Sequence, residues 1–413
     1  MQHFHYKNNQ IYGENIRLAD IANEFGTPCY VYSEAMLEDN WQAFEKAFNG
    51  LRHRICYAVK ANSNIAILNF FANKGAGFDI VSQGELERVL AAKGDPKKIV
   101  FSGVGKQTAE IIRALDVGIA CFDVESLPEL ERIHSIAEKR KTIATVALRV
   151  NPNIDARTHP YISTGLSINK FGIEYSDVLP LCHRVQKMPH IKLIGIACHI
   201  GSQLTELSPF LEASDRMLDL LQQLKTAGIE LTHINIGGGL GVQYHDEKPP
   251  TPQEYAEALR KKFENQSIEL IIEPGRALVA NAGILLTKVE YIKTTSQKNF
   301  AIVDAGMNDL MRPALYDAWH DILPIHLRYG DTHFYDIVGP VCESADVLGK
   351  SRQIALEPGD ILAIKTAGAY GFSMSSHYNS RPRPAEVMIK DDKAHLIRKR
   401  ETLGELFASE TIV

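Results

Sequence analysis

The stretch 55–62 (ICYAVKAN) places a lysine, Lys60, at the end of an apolar run that is typical of a buried β-strand. A charged ammonium is costly to bury without a partner, and desolvation lowers the pKa of an amine and frees it as a nucleophile. Lys60 is therefore a candidate for covalent attachment to a carbonyl compound. The alternative is a lysine whose aliphatic stem is buried while its ammonium group reaches solvent.

Two glycine-containing turns directly follow strand-like runs later in the chain, at 237–241 (GGGLG) and 273–276 (EPGR). Glycine has no Cβ, so backbone N–H groups can approach and surround a phosphate. The dinucleotide pattern G-x-G-x-x-G is not satisfied from Gly237, because position 242 is Val242. The two turns predict a phosphate site, with an ordinary tight turn as the alternative for GGGLG.

Three further polar residues lie at or near the ends of strand-like runs. His199 follows the apolar run 191–198, and its imidazole could stack on a planar cofactor. Asp79 lies in the run 78–81, and Arg149 lies near the end of 143–150. Each of these two could instead form half of an ordinary buried ion pair, and a single histidine is more often structural.

The last third of the chain contains another group of candidates. Cys342 lies beside Glu343 in a turn (VGPVCESAD) that would present its thiol, although free cysteines are usually small buried hydrophobic residues. Two short motifs complete this group: MRPALY contains Arg312 and Tyr316, and AGAYG contains Tyr370. A lone Arg or Tyr is more often a surface or core residue, but the GAY stretch between glycines is more typical of a binding turn than of a strand interior.

These candidates need a scaffold, and the hydrophobic pattern predicts one. Strand-like runs alternate with amphipathic helical runs such as 126–140, where Ser126 and Glu129 predict a helix N-cap. Eight strands in about 220 residues predict a parallel (β/α)8 TIM-like barrel, with a doubly wound sheet as the competing fold. The predicted strands are 55–60, 78–81, 98–102, 119–123, 143–150, 191–198, 231–236 and 268–273.

The pattern changes after residue 280 to short strand-like runs separated by turns, which predicts a mostly antiparallel β domain. Residues 1–33 are too short for a domain and are expected to contribute to a sheet of that β domain. The predicted domains are therefore 34–280 for the barrel and 281–413 for the C-terminal β domain.

Composition excludes several classes of protein. The chain has 413 residues, a net charge of −5, no basic run and no apolar run of membrane-spanning length. We therefore expect neither nucleic-acid binding nor a membrane segment. The six cysteines form no CxxC pair, which predicts reduced thiols, a cytoplasmic protein and no metal site. The N-terminus has no apolar core typical of a secretory signal.

Taken together, these motifs resemble the pyridoxal-phosphate-dependent decarboxylases of the alanine-racemase-like barrel class, fold type III. They occur between residues 57 and 371, in the order YAVKAN, FDIVSQGE, NKFGI, HIGSQ, GGGLG, EPGR, MRPALY, GPVCES and AGAYG. The family members most similar to this chain convert meso-2,6-diaminopimelate to L-lysine and CO2, the last step of lysine biosynthesis. The resemblance also implies the cofactor pyridoxal 5'-phosphate and a homodimer with shared active sites.

The resemblance implies a role for each motif residue. Lys60 matches the lysine that binds the cofactor covalently, His199 the residue stacked on its ring, and Glu273 the carboxylate at the pyridine nitrogen. Cys342 matches the general acid, which the partner subunit supplies. The other cofactor positions are Asp79, Ser202, Gly238, Gly239, Gly275, Arg276 and Tyr370. The substrate-binding positions are Arg276, Arg312, Tyr316, Glu343 and Tyr370.

Physical chemistry favours decarboxylation of a substrate with two amino-acid ends. A carboxylate at Glu273 keeps the pyridine nitrogen protonated, which strengthens the electron sink for the carbanion left by CO2. Arg312 and Glu343 supply a cation and an anion for the distal carboxylate and ammonium.

Three alternatives remain open from the sequence. The first is a sister decarboxylase for ornithine, lysine or carboxynorspermidine. The second is an amino-acid racemase, which would lack the Cys342 turn. The third is a non-catalytic cofactor carrier, which would normally lack residues 281–413.

Overall fold

The computed structural model describes residues 3–155, 164–165 and 169–413. The chain divides into two compact units. The barrel unit contains Gln42–Val242 and Lys248–Gly275, and the β unit contains Met1–Trp41, Gln243–Glu247 and Arg276–Val413. The domain bounds given above at residues 34 and 280 stay predictions.

The strands and helices are listed here in chain order. The strands are β1 (Phe4–Lys7), β2 (Gln10–Gly13), β3 (Ile16–Arg17), β4 (Cys29–Ser33), β5 (His53–Ala58), β6 (Gly77–Ile80), β7 (Ile99–Phe101), β8 (Cys121–Val124), β9 (Ala144–Asn151), β10 (Ile173–Glu174), β11 (Ile191–Ala197), β12 (His233–Asn235), β13 (Glu269–Ile272), β14 (Gly283–Thr294), β15 (Asn299–Val303), β16 (Ile322–Pro324), β17 (His333–Val338), β18 (Val347–Ile354), β19 (Ile361–Ile364), β20 (Ala385–Lys390) and β21 (Lys393–Arg398). The helices are α1 (Leu18–Phe25), α2 (Glu34–Phe48), α3 (Ile65–Asn73), α4 (Gln83–Ala91), α5 (Thr108–Val117), α6 (Leu127–Lys139), α7 (Val178–Val185), α8 (Ser208–Thr226), α9 (Pro252–Phe263), α10 (Arg276–Val279) and α11 (Arg312–Tyr316).

The barrel unit is a closed parallel barrel. Within the described residues, eight strands pair in the order β5, β6, β7, β8, β9, β11, β12 and β13, and β13 returns to β5. A strand covered on both faces must be apolar throughout, and the fully buried β8 (CFDV) is largely so, with Asp123 as its polar exception. The closed order confirms the predicted barrel and excludes the doubly wound sheet.

Side-chain caps fix where several barrel helices begin. Ser82 accepts a hydrogen bond from the backbone N–H of Glu85 at the start of α4. Ser126 does the same for Glu129 at α6, which confirms the predicted cap. Each cap satisfies a backbone donor that the first helical turn leaves unpaired. The barrel helices therefore start directly after the strand-end loops that carry the candidate residues.

The β unit contains mostly antiparallel sheets. Its larger sheet has the path β18, β17, β15, β14, β4, β20 and β21, in which β15–β17 and β4–β20 are the parallel pairs. The N-terminal strand β4 pairs with both β14 and β20 and is fully buried. Its core includes Leu18, Val31, Leu286 and Val387, so residues from both ends of the chain share one hydrophobic core.

Two further features bear on the sequence predictions. In the described part of the chain, no helix combines the length and hydrophobicity that a membrane crossing requires. All six cysteines are free, and Cys342 is exposed while the other five are buried.

Candidate active site

Lys60 lies just beyond β5, in the short 3-10 turn Val59–Ala61, and not on the last strand residue as predicted. Its Nζ donates to Oδ2 of Asp79 on the adjacent strand β6 at 2.7 Å. The Asp79 side chain is 0% exposed and that of Lys60 is 35% exposed. Asp79 therefore holds the amine at the carboxyl end of the barrel while the amine stays accessible to a ligand.

The alternative for Arg149, half of an ordinary buried ion pair, is confirmed, and Asp79 is also half of an ion pair, with Lys60. Arg149 pairs with Glu125 at 2.7 Å, so Arg149 does not compete with Lys60 for Asp79. The Oδ1 atom of Asp79 is buried and has no hydrogen-bond partner in the described structure. The carboxylate of Asp79 is therefore oriented by Lys60.

His199 follows β11 by two residues, and its ring reaches the glycine turn. The backbone N–H of Gly238 donates to Nδ1 of His199 at 3.3 Å. Desolvation lowers the pKa of His199 well below its ordinary value, and the positive charges of Lys60 and Arg149 act in the same direction. The imidazole is therefore neutral at pH 7, and a neutral flat ring is suited to stacking on a cationic heteroaromatic ring.

The glycine turn after β12 has no room for side chains. A Cβ added to Gly238 would lie 2.1 Å from the carbonyl oxygen of Glu273. Gly239 has φ of +116° and closely approaches the carbonyl oxygen of Gly201, next to Ser202. Gly275 is also tight, since an added Cβ would be 3.1 Å from the Cβ atoms of Ala58 and Ala61. Glycine is thus required for the close approach of these loops.

Glu273 follows β13 and is only 7% exposed. Its Oε1 accepts a hydrogen bond from Nδ2 of Asn235 at 2.5 Å, and the same amide nitrogen lies 3.3 Å from Oδ2 of Asp123. Burial raises the pKa of Glu273 well above its ordinary value, and the nearby carboxylates of Asp79 and Asp123 raise it further. A cation placed beside Glu273 would lower the pKa of this carboxyl group and stabilise its charged form. This end of the barrel therefore favours a positively charged ligand.

The β unit contains a second group, which we call the arginine cluster: Arg276, Arg312, Tyr244 and Tyr370. Arg276 donates from Nη1 to the hydroxyl of Tyr244 at 2.6 Å, and its guanidinium lies 4.7 Å from the Tyr370 ring centre. The guanidinium of Arg312 lies 4.2 Å from the ring centre of Tyr244. Both arginines are buried, and among the described residues no carboxylate pairs with Arg312. Buried positive charge of this kind favours an anionic ligand.

The turn that carries Cys342 is exposed, whereas the two arginines of the arginine cluster are buried. Cys342 is exposed, so it is not the small buried residue that was the alternative, and its backbone N–H donates to Oδ1 of Asn379 at 2.8 Å. Glu343 accepts a hydrogen bond from the Tyr378 hydroxyl. Asp346 accepts from the backbone of Met307 and Val341 at 2.6 and 2.7 Å. Hydrogen bonds thus hold the turn in place, and it presents both a thiol and a carboxylate to solvent.

The structure therefore brings the predicted residues together in three groups. In the barrel unit, Lys60, Asp79, His199, Glu273 and the glycine turns lie at the carboxyl ends of the strands. In the β unit, Arg276 and Arg312 both contact Tyr244, and Arg276 also lies over the Tyr370 ring. Charge interactions couple Tyr316 to both arginines. Within the described residues of that unit, no hydrogen bond or ion pair joins Cys342 or Glu343 to the arginine cluster.

Sequence reasoning missed several residues of these groups. Asn235 could have been found, because it is a polar residue only two positions before the glycine turn, and its Oδ1 accepts from the backbone N–H of Gly237 at 2.8 Å. Tyr244, His320 and Tyr378 lie outside the motifs, and each has a hydrogen-bond partner more than 30 residues away in the sequence. The described residues also contain no group of three or more His, Cys, Asp or Glu side chains that could hold a metal.

The barrel residues fit the cofactor that the motifs imply. Pyridoxal phosphate has an aldehyde, a phosphate and a basic ring nitrogen. The accessible amine of Lys60 suits the aldehyde, and the glycine turns that an added Cβ would fill suit the phosphate. The buried Glu273, whose raised pKa a cation would oppose, suits a protonated ring nitrogen.

Comparison with known proteins also indicates a protein that binds pyridoxal phosphate. Residues 34–280 match the family model described as pyridoxal-dependent decarboxylase, pyridoxal binding domain. The diaminopimelate decarboxylase of Vibrio cholerae is 55% identical, with 100% of both chains covered. The crystal structure of diaminopimelate decarboxylase from M. jannaschi has a TM-score of 0.95 at 40% identity, covering 100% of this chain and 98% of that one. That of the Helicobacter pylori enzyme, complexed with L-lysine, has a TM-score of 0.92 at 43% identity, covering 95% and 99%. The chain belongs to the pyridoxal-dependent decarboxylases and, within them, to the diaminopimelate decarboxylase family.

Proposed function

We propose that this chain is a carboxy-lyase that converts meso-2,6-diaminopimelate to L-lysine and CO2, the last step of lysine biosynthesis. The observation that carries the proposal is full-length likeness at 55% identity, which includes the β unit as well as the barrel. A non-catalytic cofactor carrier would normally lack the β unit. The same likeness separates the chain from the lysine/ornithine decarboxylase of Vibrio vulnificus, which is 21% identical.

When bound, pyridoxal phosphate supplies the electron sink that accepts the electron pair left as CO2 departs. Lys60 would hold it covalently, with Asp79 orienting the amine. Glu273 would bind the ring nitrogen, held in place by Asn235. His199 would stack on the ring. The positions that would surround the phosphate are Ser202, Gly238, Gly239, Gly275, Arg276 and Tyr370.

Substrate recognition is assigned to the β unit. Arg312 binds the distal carboxylate, because it is a buried cation without an acidic partner in the described structure. Glu343, oriented by Tyr378, binds the distal ammonium. Arg276, Tyr316 and Tyr370 complete the substrate contacts. Cys342 donates the proton to the substrate Cα, and its exposed turn suits a residue that serves the site of a partner subunit.

The proposal includes assembly, location and domain bounds. The active form is a cytoplasmic homodimer with shared active sites. The functional segments are 1–33 with the β domain, 34–280 as the cofactor-binding barrel and 281–413 as the C-terminal β domain. The bounds rest on the hydrophobic pattern of the sequence, and the dimer rests on the family resemblance.

A substrate panel tests the function. The protein loaded with pyridoxal phosphate is incubated with meso-diaminopimelate, the LL isomer, L-lysine or L-ornithine, and released CO2 is measured. We expect CO2 and L-lysine from the meso isomer alone. Release from ornithine or lysine at a similar rate would identify a sister decarboxylase, and cofactor absorbance without any CO2 would identify a carrier.

A further inference from the structure

His320 lies beside the arginine cluster and is completely buried. Its Nδ1 lies 2.8 Å from the backbone carbonyl oxygen of Lys365, and its Nε2 lies 2.8 Å from Nη1 of Arg312. A carbonyl can only accept a hydrogen bond and a guanidinium can only donate one. The ring must therefore carry its proton on Nδ1 and accept the Arg312 hydrogen bond at Nε2.

The surroundings keep His320 in that neutral form. Burial lowers its pKa to about 3, and the positive charge of Arg312 acts in the same direction. Its backbone carbonyl accepts from Nη2 of Arg352 at 2.8 Å, and its ring meets the Tyr244 ring edge-on at 5.3 Å between centres. The imidazole is thus held on three sides.

The chemistry of this acceptor matters for Arg312. A carboxylate in the place of His320 would also orient the guanidinium, but it would neutralise the charge and compete with an incoming anion. Imidazole and the Tyr244 ring are uncharged, so they fix the guanidinium and leave its charge available. The Nε atom of Arg312 is buried and has no hydrogen-bond partner in the described structure, so hydrogen-bonding capacity also remains.

We propose that His320 is a positioning residue for substrate specificity, which orients Arg312 toward the distal carboxylate of the substrate without neutralising it. The inference rests on the substrate role assigned to Arg312 under the proposed function.

Two matched variants separate the two hydrogen bonds of His320. In His320→Asn the amide nitrogen can replace Nδ1 and still donate to Lys365, but nothing accepts from Arg312. In His320→Gln the longer side chain places an acceptor near the position of Nε2.

The ligands for the binding measurement are L-lysine, which has a distal carboxylate, and cadaverine, which has the same carbon chain without that carboxylate. Binding of each to the cofactor-loaded protein is measured.

We expect His320→Asn to weaken L-lysine binding about tenfold while cadaverine binding stays unchanged, and His320→Gln to retain most of the L-lysine affinity. For meso-diaminopimelate, His320→Asn should raise KM more than it lowers kcat. Equal losses for both ligands, with normal cofactor absorbance, would show a merely structural role and overturn the proposal.

Two controls distinguish the possible failures. Wild type must bind L-lysine more tightly than cadaverine, and Arg312→Ala must lose that preference; otherwise the proposed role of Arg312 is wrong. If Arg312→Ala loses the preference and His320→Asn keeps it, the inference alone is wrong. If His320→Asn does not fold, 15N NMR of wild-type histidine decides, because a proton on Nε2 of His320 would exclude the hydrogen bond from Arg312.

Discussion

At the residue scale, the surroundings of Lys60 and Lys106 differ, and the difference favours Lys60 as the amine that binds the cofactor. The Lys106 Nζ is buried and donates to Glu129 and to the carbonyl oxygens of Gly103 and Asp123. Lys60 has an accessible side chain and an ion pair with Asp79. Borohydride reduction of the cofactor-loaded protein should therefore place the cofactor on Lys60 alone, as read by peptide mapping. An adduct on Lys106 or on the exposed Lys170 would show that the assignment is wrong.

His233 gives a pH dependence of stability that does not involve the reaction. It is buried in β12, and burial lowers its pKa to about 4. Between pH 6.5 and 4 the unfolded chain binds a proton that the folded chain does not, so stability falls as the pH falls through this range. The loss from this histidine is at most about 3 kcal/mol.

The variant His233→Leu should flatten that dependence, because its side chain is apolar and Nε2 of His233 has no hydrogen-bond partner in the described structure. We expect the slope of the unfolding free energy between pH 6.5 and 4.5 to decrease by about 1 kcal/mol per pH unit. Denaturant unfolding at several pH values measures it, with exposed His395→Asn as the matched control. An equal slope in wild type and His233→Leu would contradict the explanation.

The sequence predicted individual site residues wherever they follow a strand in a short motif. It could not predict Asn235 as the partner of Glu273, because that hydrogen bond joins residues 38 positions apart. The same holds for His320, whose acceptor role depends on the Lys365 carbonyl 45 residues away. Partners distant in sequence become visible only when the fold brings them together.

At the scale of elements, the glycine turn after β12 can be tested by adding one carbon. Gly238→Ala would put a Cβ against the Glu273 carbonyl oxygen, so the two loops must move apart. We expect the affinity for pyridoxal phosphate, measured by absorbance titration, to fall at least about tenfold, because the proposed phosphate site is formed by backbone groups of this turn. The matched control is Gly84→Ala in α4, where an added Cβ has only an ordinary contact at 3.8 Å from Ser82. Unchanged affinity in a folded Gly238→Ala protein would exclude the turn from the phosphate site.

The hydrophobic pattern predicted most barrel elements but not all of them. The bounds of the strands were predicted to within two residues, because parallel barrel strands are continuous apolar runs bounded by turns. The helix α3 was missed, since its sequence IAILNFFAN is apolar on several faces and lacks an amphipathic period. Lys60 was placed on the strand and not in the 3-10 turn, because the turn residue Val59 is as apolar as the strand residues before it.

At the scale of the whole molecule, the Cys342 turn raises the question of assembly. Backbone hydrogen bonds to Asp346 and Asn379 hold this turn within its own unit, yet its thiol and carboxylate face outward. The family resemblance suggested that Lys170 and Asp346 pair across a dimer interface, and that pairing stays a prediction. In a two-fold dimer such a turn can complete the site of the partner, which gives two composite sites.

Mixed dimers test that arrangement. Lys60→Ala and Cys342→Ala homodimers should each be nearly inactive, because every site lacks one of the two residues. In a mixed dimer both changes fall in one site, and the other site keeps an intact Lys60 and an intact Cys342. Random exchange makes half of the dimers mixed, so activity should recover to roughly a quarter of wild type. Mass-tagged chains confirm exchange, and activity that then stays at the level of the single variants would show that both residues serve the same chain.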